Sequence, residues 1–183
     1  QVKDLKKEHV LSVGLFKKNK YLKAVQGVSF DLFKGETLGL VGESGCGKST
    51  LSRALIYLDP PTEGSIMFQG KDLSSMTSEQ IRSIRKDIQF VFQDPYSALH
   101  PLKKIGQAIA EPLQVHQITL GSKETKIRVL ELLEAVGLAA SFYERYSHEL
   151  SGGQRQRIVI ARALATEPKL IRSEEHTSEL QSL

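Results

Sequence analysis

The sequence is poor in three things: cysteine, long apolar runs and blocks of like charge. Its one cysteine, Cys46, excludes an internal disulfide and a metal site built from several cysteines, and it fits a reducing compartment. No stretch approaches the roughly 18 uninterrupted apolar residues that cross a bilayer, so we expect any membrane role to depend on a spanning partner. The formal charge of +4 is spread along the chain, so we expect no nucleic-acid partner.

The composition that remains is typical of an ordinary globular domain, with 40% hydrophobic and 25% charged residues among 183. Strand patterns come first: apolar residues alternate over 28–32, and the run 37–41 is apolar on both faces, as in a parallel strand covered by helices. Helical patterns follow, and Leu170 begins one more predicted strand. The chain is therefore strand-rich first and helix-rich afterwards. Helices are predicted over 48–58, 79–86, 105–116, 123–136 and 154–165.

A glycine-rich loop follows the predicted strand 37–41. Its residues are Gly42, Glu43, Ser44, Gly45, Cys46, Gly47, Lys48, Ser49 and Thr50. They match the phosphate-loop pattern G-x-x-x-x-G-K-[ST] between a strand and a helix, although a glycine turn that only caps a helix is the alternative. Glycines let backbone N–H groups converge on phosphate oxygens, and the helix start adds positive charge. We therefore predict ATP and Mg²⁺ as cofactors, with Lys48 on the β- and γ-phosphates, Ser49 on Mg²⁺ and Thr50 on the α-phosphate.

A second glycine motif follows Leu150 and consists of Ser151, Gly152, Gly153 and Gln154. Ser151 and Gln154 have the spacing of a capping box, so the motif starts a helix, and a serine with two glycines at such a start is also an anion site. Together with the loop 42–50, this motif resembles the signature of the ABC ATPase family, and the resemblance covers nearly all of 23–171. It implies an α/β fold, with a P-loop NTPase core of the ABC type, an antiparallel β subdomain and an inserted α-helical subdomain. It also implies a head-to-tail dimer, with ATP between the loop of one subunit and the signature of the other.

The resemblance assigns roles to single residues as well. Gln93 matches the family's Q-loop glutamine, which senses Mg²⁺ and the attacking water, although a polar residue that merely ends a strand is the alternative. In this family an aromatic side chain upstream of the phosphate loop stacks on adenine. Tyr21 and Phe16 both qualify, and either could equally be a packing residue. Tyr21 is carried forward as the candidate.

Four stretches resemble the oligopeptide and dipeptide importer ATPases in particular, namely 35–50, 92–95, 110–113 and 145–154. The chain departs from these proteins at His100, where they usually carry asparagine. The implied protein hydrolyses ATP at the cytoplasmic face of the bacterial inner membrane, as a peripheral subunit. Its implied partners are two transmembrane permease subunits, a second identical or related ABC ATPase and, indirectly, a periplasmic or lipoprotein substrate-binding protein. A nickel or glutathione importer, or a soluble ABC protein outside transport, is the alternative.

The C-terminal residues depart from the family's pattern. After Ile171 the family has a buried strand ending in an aspartate that holds Mg²⁺ and a glutamate that polarises water, whereas Arg172 and Ser173 do not suit a continuously apolar strand. Residues 172–182 match instead, in frame, the translated adapter of short-read sequencing libraries. We therefore do not assign Glu174 and Glu175 to the missing carboxylates.

The family resemblance and the departure after Ile171 together predict how the chain is organised. An incomplete ABC ATPase domain spans 1–171, with its core over 1–94 and 151–171 and its helical subdomain over about 95–150. It is truncated before the Walker B aspartate, and 172–183 form a non-native tail. Because Gln1 is not methionine, we expect the chain to begin inside a longer reading frame. Without the catalytic glutamate, the chain as written should bind nucleotide without turnover.

Overall fold

The computed structural model describes residues 1–11, 20–91 and 94–174. The contacts divide the chain into two compact units, one from Gln1 to Ser83 and one that begins at Ile84. The predictions for Phe16, Gln93 and the tail from 175 onwards lie outside the described residues. Among the described residues, no helix is long and apolar enough to cross a membrane.

The first unit is built on an antiparallel sheet of four strands in the order β2, β1, β3, β4. The strands are β1 Val2–Leu11, β2 Lys20–Phe30, β3 Glu63–Phe68 and β4 Lys71–Asp72. The central strand β1 pairs with β2 on one side and with β3 on the other. Four apolar side chains of these strands are buried, namely Val2, Leu5, Val25 and Ile66.

Two helices of the first unit begin where the sequence predicts them. Helix α1 spans Lys48–Leu55, shorter than predicted because the chain turns at Tyr57, whose φ is 56°. Helix α2 spans Ser78–Ile84. The predicted capping box at its start is confirmed, since the Thr77 N–H donates to Gln80 Oε1 at 2.8 Å and the Gln80 N–H donates to Thr77 Oγ1 at 3.3 Å.

The predicted strand over 37–41 is wrong. These residues belong to no strand, and the side chains of Leu38, Leu40 and Val41 are exposed. A parallel strand obtains the partners of its backbone N–H and C=O groups from neighbouring strands. No described residue pairs with 37–41 in this way. The apolar pattern therefore indicates a segment suited to burial, but the pairing that would make it a strand is missing.

The second unit consists of helices and a two-stranded parallel sheet. The helices are α3 Pro95–Ala98, α4 Ile105–Val115, α5 Ser122–Ala135 and α6 Gly152–Leu164, with two short 3₁₀ turns at Ala140–Glu144 and Ser147–Glu149. The strands are β5 Ile88–Val91 and β6 Leu170–Ser173. Helices α4, α5 and α6 enclose one apolar core, whose fully buried members include Ile105, Ile109, Leu113, Val129, Leu133 and Ile158.

Strand β6 differs from the buried strand expected after residue 170. It includes Arg172 and Ser173, and Ile171 is exposed, so β6 is not apolar on both faces. The guanidinium carbon of Arg172 lies 4.7 Å from the ring centroid of Phe90, and its Nη1 lies 2.6 Å from Glu174 Oε1. Burial nevertheless lowers the pKa of Arg172, because the charged form loses hydration. The surroundings of residue 172 therefore hold a cation but stabilise its charged form less than water does.

Candidate nucleotide-binding site

The loop 42–50 depends on glycine for two separate reasons. Gly45 and Gly47 have φ values of 81° and 96°, a region that side chains rarely adopt. A Cβ atom on Gly47 would lie only 2.2 Å from the carbonyl oxygen of Ala24 on β2. Backbone conformation and close packing therefore both require glycine at 47, and β2 supports the end of the loop.

The N-terminus of α1 is open. The helix begins at Lys48 directly after Gly47, and no side chain of the described residues caps it. Its first-turn N–H groups carry the positive end of the helix dipole, and no described side chain accepts from them. Ser49 is exposed and Thr50 is half-buried in this turn. A helix start with these properties suits an anion such as phosphate.

Lys48 is held by neutral groups of the loop. Its Nζ donates to the carbonyl oxygens of Gly42 at 2.5 Å and Glu43 at 2.6 Å, and it lies 3.7 Å from Cys46 Sγ. No acidic side chain in the described part of the chain pairs with Lys48. The ammonium group therefore brings a positive charge to the loop without a carboxylate that a phosphate would have to displace.

The donor set fits a nucleotide phosphate together with a divalent cation. Ser49 supplies one hydroxyl, and Gln93, the other predicted metal ligand, lies outside the described residues. Within the described ranges, no group of three or more His, Cys, Asp or Glu side chains could hold a metal ion. A cation at this loop would need phosphate oxygens and water to complete its shell, which is how Mg²⁺ is usually bound beside nucleotides.

The register of β1 and β2 fixes the face on which Tyr21 lies. Lys7 pairs with Val25, Val10 pairs with Tyr21, and a bulge separates the two pairs. Val10 is three positions after Lys7 on β1, an odd number, so Tyr21 lies on the opposite face of the sheet from Val25. Val25 is the residue whose Cγ2 approaches the Cβ position of Gly47, at 3.8 Å. The assignment of Tyr21 to adenine stays a prediction, and this register does not bring Tyr21 to the face that Gly47 contacts.

His9 lies on the face that Tyr21 does not share. It is two residues after Lys7 on β1 and pairs with Leu22, which places it on the face of Lys7 and Val25. The sequence predicts a surface or core role for His9, because it has no partner at catalytic or metal-ligand spacing. The bulge in β2 reverses the alternation, and no pattern in the sequence indicated it.

The signature motif forms a reciprocally capped helix start. The Gln154 N–H donates to Ser151 Oγ at 3.3 Å, and the Ser151 N–H donates to Gln154 Oε1 at 3.0 Å, so the predicted capping box is confirmed. Such a cap contributes about 1 kcal/mol. Gly152 and Gly153 have no positive φ, and a Cβ atom on either would meet nothing within 4 Å. Nothing among the described residues requires glycine there, so what the glycines provide is an exposed backbone.

A hollow of about 410 Å³ adjoins this helix start. It is lined by Ser151, Gly153 and Gln154 together with Leu138, Phe142 and Arg157. The Nη1 of Arg157 lies 3.5 Å from the carbonyl oxygen of Gly137. The charge of Arg157 therefore adds to the positive end of the helix dipole beside the exposed backbone of this helix start. Arg157 is not among the residues predicted from the sequence, although its place three residues after the motif is a signal.

A second groove, of about 450 Å³, lies beside α3. Asp94 starts this helix by accepting the Tyr96 N–H at 2.9 Å and the Ser97 N–H at 3.3 Å. Arg162 Nη1 donates to the Ala98 carbonyl oxygen at 2.9 Å. The groove is lined by Tyr96, Leu99, His100, Pro101, Lys103, Glu111 and Arg162.

A phosphate loop ending in an open helix start, with a capped glycine motif on a later helix, defines an ATP-binding cassette. The chain belongs to the ABC transporter family, whose model matches residues 25–178. The fold class predicted from the sequence is confirmed by solved cassettes. A dimeric ATP-binding cassette in a post-hydrolysis state with ADP and Pi has a TM-score of 0.81 at 32% identity, covering 94% of this chain and 72% of that one.

Relatives among characterised proteins agree with the peptide-importer resemblance. The chain is 52% identical over 182 residues to the oligopeptide transport ATP-binding protein AppF of Bacillus subtilis, covering 98% of this chain and 55% of that protein. It is 46% identical over 178 residues to the di/tripeptide transport ATP-binding protein DppF of Pseudomonas aeruginosa, covering 97% and 55%. The glutathione import ATP-binding protein GsiA of Escherichia coli O157:H7 is 54% identical over 157 residues, covering 86% and 25%. The chain thus spans about half the length of the first two relatives.

Proposed function

We propose that this chain is the nucleotide-binding part of an ATP-hydrolysing subunit that drives import of oligopeptides or dipeptides across the bacterial inner membrane. The observation that carries the proposal is the open N-terminus of α1, with Lys48 held by neutral groups of the loop and by no carboxylate of the described residues. The relatives named for oligopeptide and di/tripeptide transport support the choice of cargo.

The loop would bind ATP through its backbone and three side chains. Backbone N–H groups over 45–50 donate to phosphate oxygens, Lys48 lies against the β- and γ-phosphates, and Thr50 contributes near the α-phosphate. Ser49 and Gln93 would hold Mg²⁺. The ion, when bound, neutralises charge that develops on the phosphates during hydrolysis.

The signature would act on the nucleotide of a second subunit. Gly152 and Gly153 leave the backbone at the start of α6 bare, and Arg157 stands nearby. A second ABC ATPase, identical or related, would place its own phosphate loop against this surface in a head-to-tail dimer. The solved relatives described as dimeric cassettes support this arrangement.

The remaining partners follow from the family. The groove beside α3 is the proposed docking surface for a permease subunit. Two permease subunits would hold the assembled ATPases at the cytoplasmic face of the membrane. A periplasmic or lipoprotein substrate-binding protein would be linked only through them. The glutathione importer relative, at 54% identity, supports glutathione as a second candidate cargo.

We propose separately that residues 172–183 are not native to the protein. Residues 172–183 would be translated adapter, the catalytic glutamate would be absent, and the 183-residue chain would bind ATP without hydrolysing it. Sequencing genomic DNA beyond the codon for Ile171 tests this. A genomic continuation into the same Ser-Glu-Glu-His run would refute the adapter origin.

Nucleotide binding is the direct test of the proposed function. A fluorescent ATP analogue titrated into the 183-residue chain with Mg²⁺ should bind, and Lys48→Ala should weaken binding roughly 10- to 100-fold, as expected for loss of a charge-assisted contact. Lys71→Ala removes a lysine of the same unit from β4 and serves as the matched control with unchanged affinity. Equal affinity in the wild type and Lys48→Ala would contradict the assignment.

A further inference from the structure

Arg155 is a buried cation whose side chain donates hydrogen bonds to described residues outside its own helix. It lies on α6, four residues after Ser151, and only 6% of it is exposed. Its guanidinium carbon is 3.6 Å from the ring centroid of Tyr96, and Nη2 donates to the Tyr96 hydroxyl. Nη1 donates to the carbonyl oxygen of Ser147 at 2.9 Å, while Nε has no hydrogen-bond partner among the described residues.

These contacts join two segments that are far apart in sequence. Ser147 begins the 3₁₀ turn that leads into Leu150 and the signature. Tyr96 belongs to α3, which follows the predicted Q-loop residue Gln93. Arg155 therefore ties the approach to the signature to the segment after the Q-loop.

Helix α3 depends on such contacts for its position. It has only four residues, and none of them is buried. Besides Arg155, the next attachment comes from Arg162 on the same face of α6, whose Nη1 holds the Ala98 carbonyl oxygen at 2.9 Å. Ala98 also packs against the apolar core, and Leu99, the next residue, is buried in it. The two arginines of α6 add polar contacts to these apolar ones, at Tyr96 and at Ala98.

Tyr96 has a second role on the outer side of α3. Its residue is 64% exposed, and it lines the groove proposed above as the docking surface. The same side chain thus contacts Arg155 on one side and would contact an occupant of the groove on the other. Any displacement of Tyr96 changes the surroundings of a buried charge, which is costly unless Arg155 moves as well.

We propose that Arg155 is a positioning residue that links occupancy of the α3 groove to the geometry of the signature helix start, with Tyr96 as the movable contact. The proposal rests on the proposed function, because the groove and the signature matter only in an assembled transporter. Lysine cannot replace Arg155, since it lacks the planar group that stacks on a ring while donating to two acceptors.

Amide hydrogen exchange in the 183-residue chain tests the link without nucleotide or partners. The informative amides are Gln154, which donates to Ser151 Oγ, and Arg155, which donates to the Ser151 carbonyl oxygen at 3.0 Å. Tyr96→Ala should raise their exchange rates about tenfold or more, although Tyr96 is far away in sequence. Lys126→Met is the matched control, because it removes the cation that lies 5.4 Å from the Tyr143 ring in the same unit. Unchanged exchange in folded Tyr96→Ala would overturn the proposal.

A milder pair of variants covers the case in which Tyr96→Ala does not fold. Tyr96→Phe keeps the ring and removes only the hydroxyl that Arg155 Nη2 contacts. Its Gln154 amide should still exchange faster than in the wild type, by a smaller factor. Tyr143→Phe, the same change at the other cation-bearing tyrosine of this unit, should leave that amide unchanged. No difference between the two variants would refute the link.

The second test uses the full-length subunit assembled with its membrane partners. Arg155→Lys should lower kcat for ATP hydrolysis about tenfold or more while leaving KM for ATP unchanged, because the phosphate loop is untouched. Undiminished kcat in the assembly would overturn the positioning role. Failure of the proposed function would look different: the wild type would not bind ATP, while the exchange experiment on Gln154 would remain interpretable.

Discussion

The glycines of the phosphate loop and those of the signature motif have different surroundings. Gly47 has a φ of 96° and lies where a Cβ atom would come within 2.2 Å of the Ala24 carbonyl oxygen. Gly152 and Gly153 have no such φ, and a Cβ atom on either would meet nothing within 4 Å. The loop glycine is required by the fold of the chain itself. The described part of the chain does not require glycine at either signature position.

The largest expected effect is at the loop. Gly47→Ala should cost about 1–2 kcal/mol for the left-handed backbone, and more for the clash with Ala24, and it should reduce affinity for ATP about 100-fold. Thermal unfolding and nucleotide titration measure the two losses. Gly35→Ala is the matched control, since Gly35 has a φ of 81° but no neighbour within 4 Å of its Cβ position. If Gly35→Ala and Gly47→Ala are equally destabilised, packing against Ala24 contributes nothing.

The signature glycine should show the reverse profile. Gly153→Ala should leave nucleotide affinity of the isolated chain unchanged and keep or slightly raise its stability, because alanine favours a helix over glycine by up to about 1 kcal/mol. ATP turnover of the dimer assembled from full-length subunits should fall about tenfold or more. Weaker nucleotide binding by the isolated variant would show that Gly153 acts within its own chain.

Ser151, the N-cap residue of α6, is expected to affect both the stability of the chain and the turnover of the dimer. Ser151→Ala removes the acceptor for the Gln154 N–H and should destabilise the chain by about 1 kcal/mol. Ser151→Asp keeps an acceptor and should retain stability, yet its negative charge should suppress turnover in the dimer by repelling phosphate. Chemical denaturation and phosphate release separate the two effects. Full turnover in Ser151→Asp would argue against an anion site at this helix start.

The smallest effect is expected at the sheet. If adenine lies on the face that Gly47 contacts, His9→Ala should weaken ATP binding a few-fold, consistent with loss of about 1 kcal/mol of stacking. Binding of inorganic tripolyphosphate, which has no base, should not change. Tyr21→Ala is the paired variant on the opposite face and should bind ATP normally. The opposite outcome, with Tyr21 needed and His9 dispensable, would support the assignment made from the family resemblance.

Local features were predictable from the sequence and long-range ones were not. The capping boxes at Thr77 and Ser151 depend on residues three positions apart, and the structure has both. The run 37–41 was expected to form a strand, but a strand requires pairing that an apolar pattern cannot guarantee. The contact of Arg155 with Tyr96 joins residues 59 positions apart, and no periodicity indicates such a pair.

Alkylation of Cys46 can be used to measure whether the phosphate loop is occupied. It is the single cysteine of the sequence, it is exposed, and its Sγ lies 3.7 Å from Lys48 Nζ inside the phosphate loop. An alkylating reagent would therefore add one mass tag at one known place. Bound phosphates would cover Cys46 and so slow its alkylation. The alkylation rate, followed by intact mass spectrometry, would therefore report occupancy of the loop in a chain without substitutions.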